Sequence, residues 1–196
     1  MKNLANFFFE VGMLKRTPRT GFQFLGSGAE SVAEHSFRAA IIAFTLARLD
    51  GGVDVGRVVQ MALFHDIPEA RTGDLNYVNK KYVQVDEAKA VEDLARTLPF
   101  GDDYRSLLEE LALGASRESL LVHDADQLEM ILALKEYKDL GNRYADEWYP
   151  FSVRRLRTET ARQLAETIWC TDSSRWWFDE DDAWWVKGKK EVGSEE

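Results

Sequence analysis

Two of the three histidines in the chain stand where they can do metal chemistry. His65 is followed directly by Asp66, and the pair closes an apolar run, MALFHDIPEA. His35 lies about one turn into the preceding predicted helix. Neutral imidazole and carboxylate are suitable donors for Mn, Fe, Co, Ni or Zn. Neighbouring residues on a helix diverge by about 100°, so His65 and Asp66 reach one ion only if it sits between their two directions. A third ligand must come from elsewhere, and His35 is the obvious candidate. A fourth can come from VHDADQLEMI, which holds Asp124 and Asp126. Two residues apart on a helix, these point to nearly opposite sides, and Val122, Ala125 and Ile131 do not decide between them.

Further acids follow the His-Asp pair. Glu69 is four residues after His65 and three after Asp66, and on a continuing helix it shares their face. A carboxylate there can orient or deprotonate an attacking water. Asp74 follows Gly73 on the loop beyond and is placed to meet a substrate hydroxyl. Cations for an anionic substrate are local: LKRTPRTG supplies Lys15, Arg16 and Arg19. Arginine grips phosphate oxygens through paired N–H donors. A second His-Asp dipeptide, His123-Asp124, lacks the following Glu and Gly-Asp and reads as structural.

The elements that must carry these groups have helical periodicity. Residues 3–14 place Leu4, Phe7, Phe8, Val11 and Leu14 on one stripe. TPRTGFQFLGSGAE reads as a loop. Ser31 with Glu34 forms a capping box, starting a helix that ends at Asp50-Gly51-Gly52. Further helices are expected over about 54–70, 85–98, 103–113, 117–140 and 153–170. Roughly seven helices with no convincing strand make the class all-α. The expected organisation is a catalytic domain over 1–172 and a Trp-rich, charged extension over 173–196, whose final eight or so residues read as disordered. The Trp pairs at 176–177 and 184–185 read as packing against the core or a sister subunit.

Bulk composition fits these readings. The 196 residues are 45% hydrophobic, enough for a real core, and their formal charge is −9. That balance argues against a nucleic-acid polymer as partner. The single cysteine, Cys170, forbids an intrachain disulfide and fits a reducing cytoplasm. The N-terminal apolar run is broken by Asn6, Glu10 and Gly12, so neither a signal peptide nor a membrane span is expected.

The ordered set His35, His65-Asp66, Asp126 resembles the HD-domain superfamily of metal-dependent phosphohydrolases. The finer similarity is to its 5'-deoxynucleotidase branch, the YfbR-like proteins and their archaeal and eukaryotic relatives. It is carried by LKRTPRTGF, ESVAEHSFRAA, ALFHDIPEARTGDL and DADQLEMILALKEY, in the family's order. The resemblance implies a bundle of six to seven helices around a divalent metal. It implies hydrolysis of (deoxy)ribonucleoside 5'-monophosphates to nucleoside and phosphate. By position, it makes His35, His65, Asp66 and Asp126 the metal ligands and Glu69 the residue that handles the water. Arg19 becomes the phosphate anchor and Asp74 the sugar-hydroxyl contact. Cobalt, manganese or another transition metal is the implied cofactor, and a homodimer or larger homo-oligomer the implied assembly. Thr20 stands where some bacterial members have tryptophan after this arginine. Rival readings are another nucleotide substrate (a triphosphate, a cyclic nucleotide or an alarmone) and a noncatalytic nucleotide sensor. The shortage of extra histidines for a second ion weighs against the two-metal phosphodiesterases.

Overall fold

α8 (Arg117–Asp139) is the axis of the molecule: it is buried around most of its circumference, with polar Ser119, Asp124, Gln127, Glu129 and Lys135 buried beside its apolar residues. Leu121, Ala125, Leu128, Ile131 and Leu134 are all fully or almost fully buried. In this computed structural model, which describes residues 1–178 together with Trp185 and Gly188, α8 packs against α3 (Val32–Asp50), α4 (Val55–Phe64), α7 (Gly101–Leu113), α9 (Ala145–Val153) and α10 (Glu159–Cys170). The closest partner is α3, whose buried stripe of Ala39, Ala40, Ala43 and Ala47 lets the two backbones approach. Truncating a core side chain such as Leu128 to Ala costs about 2–5 kcal/mol.

A second apolar cluster joins α1 (Lys2–Val11) to α6 (Glu87–Ala95) and α7, through Phe7, Leu14, Val32, Ile67, Leu94 and Tyr104. The short helices α2 (Phe22–Leu25) and α5 (Glu69–Thr72) complete the set. Among the described residues there is no strand, only one isolated antiparallel bridge between Pro18 and Ser31, so the all-α class holds. None of the described helices is long and apolar enough to cross a membrane.

The capping box at Ser31 forms as expected, with Ser31 N donating to Glu34 Oε2 at 2.7 Å and Glu34 N donating to Ser31 Oγ at 3.3 Å. Several helix boundaries depart from the sequence reading. The helix expected over 54–70 stops at Phe64, and α5 begins only at Glu69. Pro68 is the reason. It has no N–H to offer the Phe64 carbonyl, and its ring clashes with that carbonyl in a continuous helix. The Phe64 oxygen instead accepts Ile67 N at 3.2 Å, and the Asp66 oxygen accepts Glu69 N at 3.0 Å. The first helix tightens into a 3₁₀ turn at Gly12–Lys15, α9 forms where no helix was expected although it contains Pro150, α10 begins at Glu159 and not near 153, and Phe22–Leu25 in the expected loop makes the short α2. In the C-terminal extension, Trp176, Trp177 and Trp185 are exposed, and Trp177, Phe178 and Trp185 pack on one another. The other residues of the extension, including the last eight and Trp184, lie outside the described residues.

Candidate metal centre

His35 enters the site from the second turn of α3, fully buried. Its Nδ1 lies 2.5 Å from Glu129 Oε2, which turns Nε2 toward Asp126 Oδ1 at 3.2 Å and Asp66 Oδ2 at 3.5 Å. His65 sits just beyond α4. Its Nδ1 donates to the Ala62 carbonyl at 2.7 Å, so the free lone pair is on Nε2, 3.2 Å from Asp66 Oδ2. The two imidazole rings are 5.5 Å apart, centre to centre. Donor atoms of His35, His65 and Asp126 all lie within 4.8 Å of one another. The structure thus brings together His35, His65, Asp66 and Asp126 from α3, the break after α4, and α8.

Three of the converging atoms, His35 Nε2, His65 Nε2 and Asp66 Oδ2, are buried without any hydrogen-bond partner. Leaving a buried polar atom unsatisfied costs about 1–3 kcal/mol, and a cation among them removes that cost. Two imidazole nitrogens and two carboxylates form a mixed N/O set that suits first-row divalent ions. The carboxylates are primed for it. Burial opposes their charge, yet His65 holds Asp66 below the ordinary aspartate range, and His35 does the same to Asp126. Burial also works against protonated His35, but the carboxylates of Asp126 and Glu129 on either side of the ring win and push its pKa up to about 10. A cation must therefore displace a proton there.

Glu69, at the start of α5, keeps one carboxylate oxygen, Oε2, buried and unpartnered. Burial, then the negative charges of Asp66 and Asp74, push its pKa up to about 8. An unbroken helix would put Glu69 on the face of His65; the break at Pro68 replaces that with a tight turn through Asp66. Arg19 is mostly buried, its Nη1 3.9 Å from Asp66 Oδ2 and its Nε without a partner. Its loop is strapped to the start of α3, with Arg19 N donating to Glu30 O at 2.8 Å and Val32 N to Thr17 O at 2.9 Å. Lys15 and Arg16 are exposed instead. Gly73 adopts φ 73° and ψ 156°, a conformation open to little but glycine, and so turns the chain to present Asp74. Asp74 Oδ2 accepts from Thr20 N at 2.7 Å.

Asp124 faces away from the centre. Its carboxylate accepts Arg157 N at 2.7 Å and Thr158 N at 2.8 Å, holding the residue whose side chain caps α10, while His123 Nε2 pairs with Arg155 O at 3.1 Å. Sequence reasoning missed Glu129 and Arg38. Both were legible as partners one turn from a candidate ligand, Glu129 three residues after Asp126 and Arg38 three after His35. Beside His65 and Asp126 opens a cavity of about 440 Å³, lined also by the end of α7 from Leu111 to Gly114, by Leu120 and His123, and by Arg157 at its rim.

The chain is similar to known proteins of one kind. A family profile described as HD domain matches residues 11–169. The chain is 36% identical over 148 residues to the 5'-deoxynucleotidase HDDC2 of Bos taurus, covering 72% of this chain and 71% of that one. It is 29% identical over 178 residues to the 5'-deoxynucleotidase ECA3034 of Pectobacterium atrosepticum, covering 83% and 84%. Among solved structures, the PH0347 protein of Pyrococcus horikoshii superposes with a TM-score of 0.71 at 31% identity, covering 85% of this chain and 98% of that one. A predicted metal-dependent phosphohydrolase from Magnetospirillum magnetotacticum gives a TM-score of 0.68 at 25% identity, covering 85% and 89%.

Proposed function

The chain belongs to the HD-domain family, and from that premise we propose that it is a metal-dependent 5'-nucleotidase, releasing phosphate from (deoxy)ribonucleoside 5'-monophosphates. The observation that carries this reading is the convergence of His35 Nε2, His65 Nε2 and Asp66 Oδ2, all buried and all unpartnered, beside Asp126 and Glu69. Relatives named 5'-deoxynucleotidase over most of their length support the substrate class.

His35, His65, Asp66 and Asp126 would hold a divalent ion, with cobalt and manganese the first ions to try. When bound, the ion polarises the phosphate and acidifies the attacking water. The remaining work falls to the chain's own groups. Arg19 donates N–H to phosphate oxygens and neutralises charge that grows during the displacement. Glu69, through Oε2, orients the water and takes its proton. Asp74 has Oδ1 left over after binding Thr20, and that oxygen accepts from a sugar hydroxyl. The cavity beside His65 takes the nucleoside and keeps bulk water away. Among the described residues no serine, cysteine or histidine stands as an activated nucleophile, so attack by water is direct and no phosphoenzyme forms.

The exposed thiol of Cys170 fits action in a reducing cytoplasm. Phe37, Ile41 and Phe44 lie exposed along one side of α3, which favours a homo-oligomer.

The deciding experiment is a phosphate-release screen of the nucleoside monophosphates against a panel of divalent metals. Release that requires added metal, with triphosphates, cyclic nucleotides and alarmones left intact, is the expected result. Tight nucleotide binding without turnover in any metal would replace this reading with that of a sensor.

A further inference from the structure

Beneath the centre lies a carboxylate that the mechanism does not use. Glu129 stands one turn after Asp126 on α8 and is fully buried. A buried carboxylate is tolerated only when paired and hydrogen-bonded, and both of its oxygens are engaged. Oε2 faces His35 Nδ1 at 2.5 Å, and Oε1 accepts from Arg38 Nε at 2.9 Å and Arg38 Nη2 at 2.6 Å. Arg38 stands one turn after His35 on α3 and is itself held by Glu136 at 2.6 Å and Glu30 at 3.7 Å. Two pairs one turn apart therefore face each other across the α3–α8 contact. His35 meets Asp126 at the centre, and Arg38 meets Glu129 behind it.

The geometry points to Glu129, gripped by Arg38, as the residue that positions His35 for metal binding. With the carboxylate on Nδ1, the imidazole keeps its proton on that side, its ring plane is fixed, and the Nε2 lone pair is aimed between Asp66 and Asp126. A carboxylate behind a histidine also strengthens it as a donor. This rests on the reading that His35 is a ligand, and it is separable from that reading by experiment. The rival role for Glu129 is a plain cross-link between α3 and α8, which predicts altered stability and unaltered metal binding.

Glu129→Gln tests the assignment without changing the size of the side chain. Both oxygens of Glu129 accept from N–H donors, so an amide must turn its NH₂ toward either His35 or Arg38. Arg38→Lys is the second variant. It sits at a partly exposed position, keeps the charge and loses the two-donor grip. The measurements are calorimetric titration with Mn²⁺ alone, the absorption spectrum of the Co²⁺-loaded protein, and the melting temperature in chelator. Glu129→Gln is expected to weaken Mn²⁺ binding about 10–100-fold and to alter the Co²⁺ spectrum, with Arg38→Lys weaker in the same direction. A lower melting temperature with unchanged Mn²⁺ affinity and Co²⁺ spectrum in both variants overturns the proposal. Should Glu129→Gln fail to fold, Arg38→Lys decides on the same readouts. A wild-type protein that takes up no Mn²⁺ removes the underlying ligand reading as well.

Discussion

Asp74 Oδ2 accepts the backbone N–H of Thr20 at 2.7 Å, and Thr20 Oγ1 donates back to the Asp74 carbonyl at 3.0 Å. This two-point tie spans 54 residues of sequence and fastens the Arg19 loop to the turn after α5. Arg19 therefore owes its place partly to a residue that does not touch it. Asp74→Ala removes the carboxylate half of the tie and leaves only the contact to the backbone carbonyl. Loss of a charged hydrogen bond of this kind costs about 1–3 kcal/mol, so kcat/KM for nucleoside monophosphates should fall by about ten- to a hundredfold. Steady-state kinetics alongside Mn²⁺ titration checks this. Unchanged kcat/KM would sink the positioning role, and metal affinity should not move.

Glu69→Gln should separate chemistry from metal binding. Without a carboxylate to take the proton, kcat should drop by about 10²–10⁴-fold, while Mn²⁺ affinity stays near wild type. A cross-check comes from stability. Burial, with Asp66 and Asp74 nearby, disfavours the ionised form of Glu69 so strongly that its pKa reaches about 8. The neutral amide escapes that penalty, so chelated Glu69→Gln should melt no lower than chelated wild type above pH 8. Retained turnover in this variant would remove Glu69 from the mechanism.

What the sequence revealed and concealed has local causes. Ser31 and Glu34 announced the start of α3 because a capping box depends on two side chains three residues apart, and both are readable. Pro68 was equally readable, yet the apolar period before it suggested an unbroken helix. The helix instead gives way to a turn over 65–68, where His65 Nε2 and Asp66 Oδ2 meet at 3.2 Å. Asp124 and Asp126 could not be told apart by periodicity, because α8 is buried on nearly every side. Asp124 is spent on the backbone of Arg157 and Thr158, just ahead of α10 and 33 and 34 residues away in sequence. Glu129 looked like an ordinary helix acid. Its burial makes sense only once α3 brings Arg38 and His35 against it.

Metal uptake should be coupled to proton release, and pH should act in opposite directions on the metal-free and loaded proteins. In the metal-free protein, the carboxylates of Asp126 and Glu129 beside the ring overcome burial and raise His35 to about 10. A raised folded-state pKa gives stability that is full below the unfolded value, about 6.5 for histidine, and is lost as pH climbs through 10. Glu69, raised to about 8, acts in the same sense. Chelated protein should thus lose melting temperature between about pH 6.5 and 10. Mn²⁺ must displace the His35 proton, so its affinity should rise with pH over that window. Melting curves with and without chelator, and titrations in buffers of different ionisation enthalpy, read both trends. An Mn²⁺ affinity flat from pH 6.5 to 9 would show that no proton leaves His35 on loading.

The cavity beside His65 and Asp126 can be probed from its rim. Ala112 lies in the last turn of α7, exposed and lining the cavity. Ala112→Trp costs the helix at most about 0.7 kcal/mol in propensity, so the fold should survive. An indole at that point occupies much of a space of about 440 Å³. If the nucleoside sits there, its apolar contacts are lost, and a loss of about 1.4 kcal/mol already raises KM tenfold. A small aryl phosphate needs only the metal, Arg19 and Glu69, so its hydrolysis should be nearly unaffected. The expected result is a rise in KM for nucleoside monophosphates, with kcat and the aryl phosphate rate close to wild type. Equal losses on both substrates would mean that the indole disturbs the centre itself. Equal retention would mean that the nucleoside binds elsewhere, on the side of the Arg19 loop.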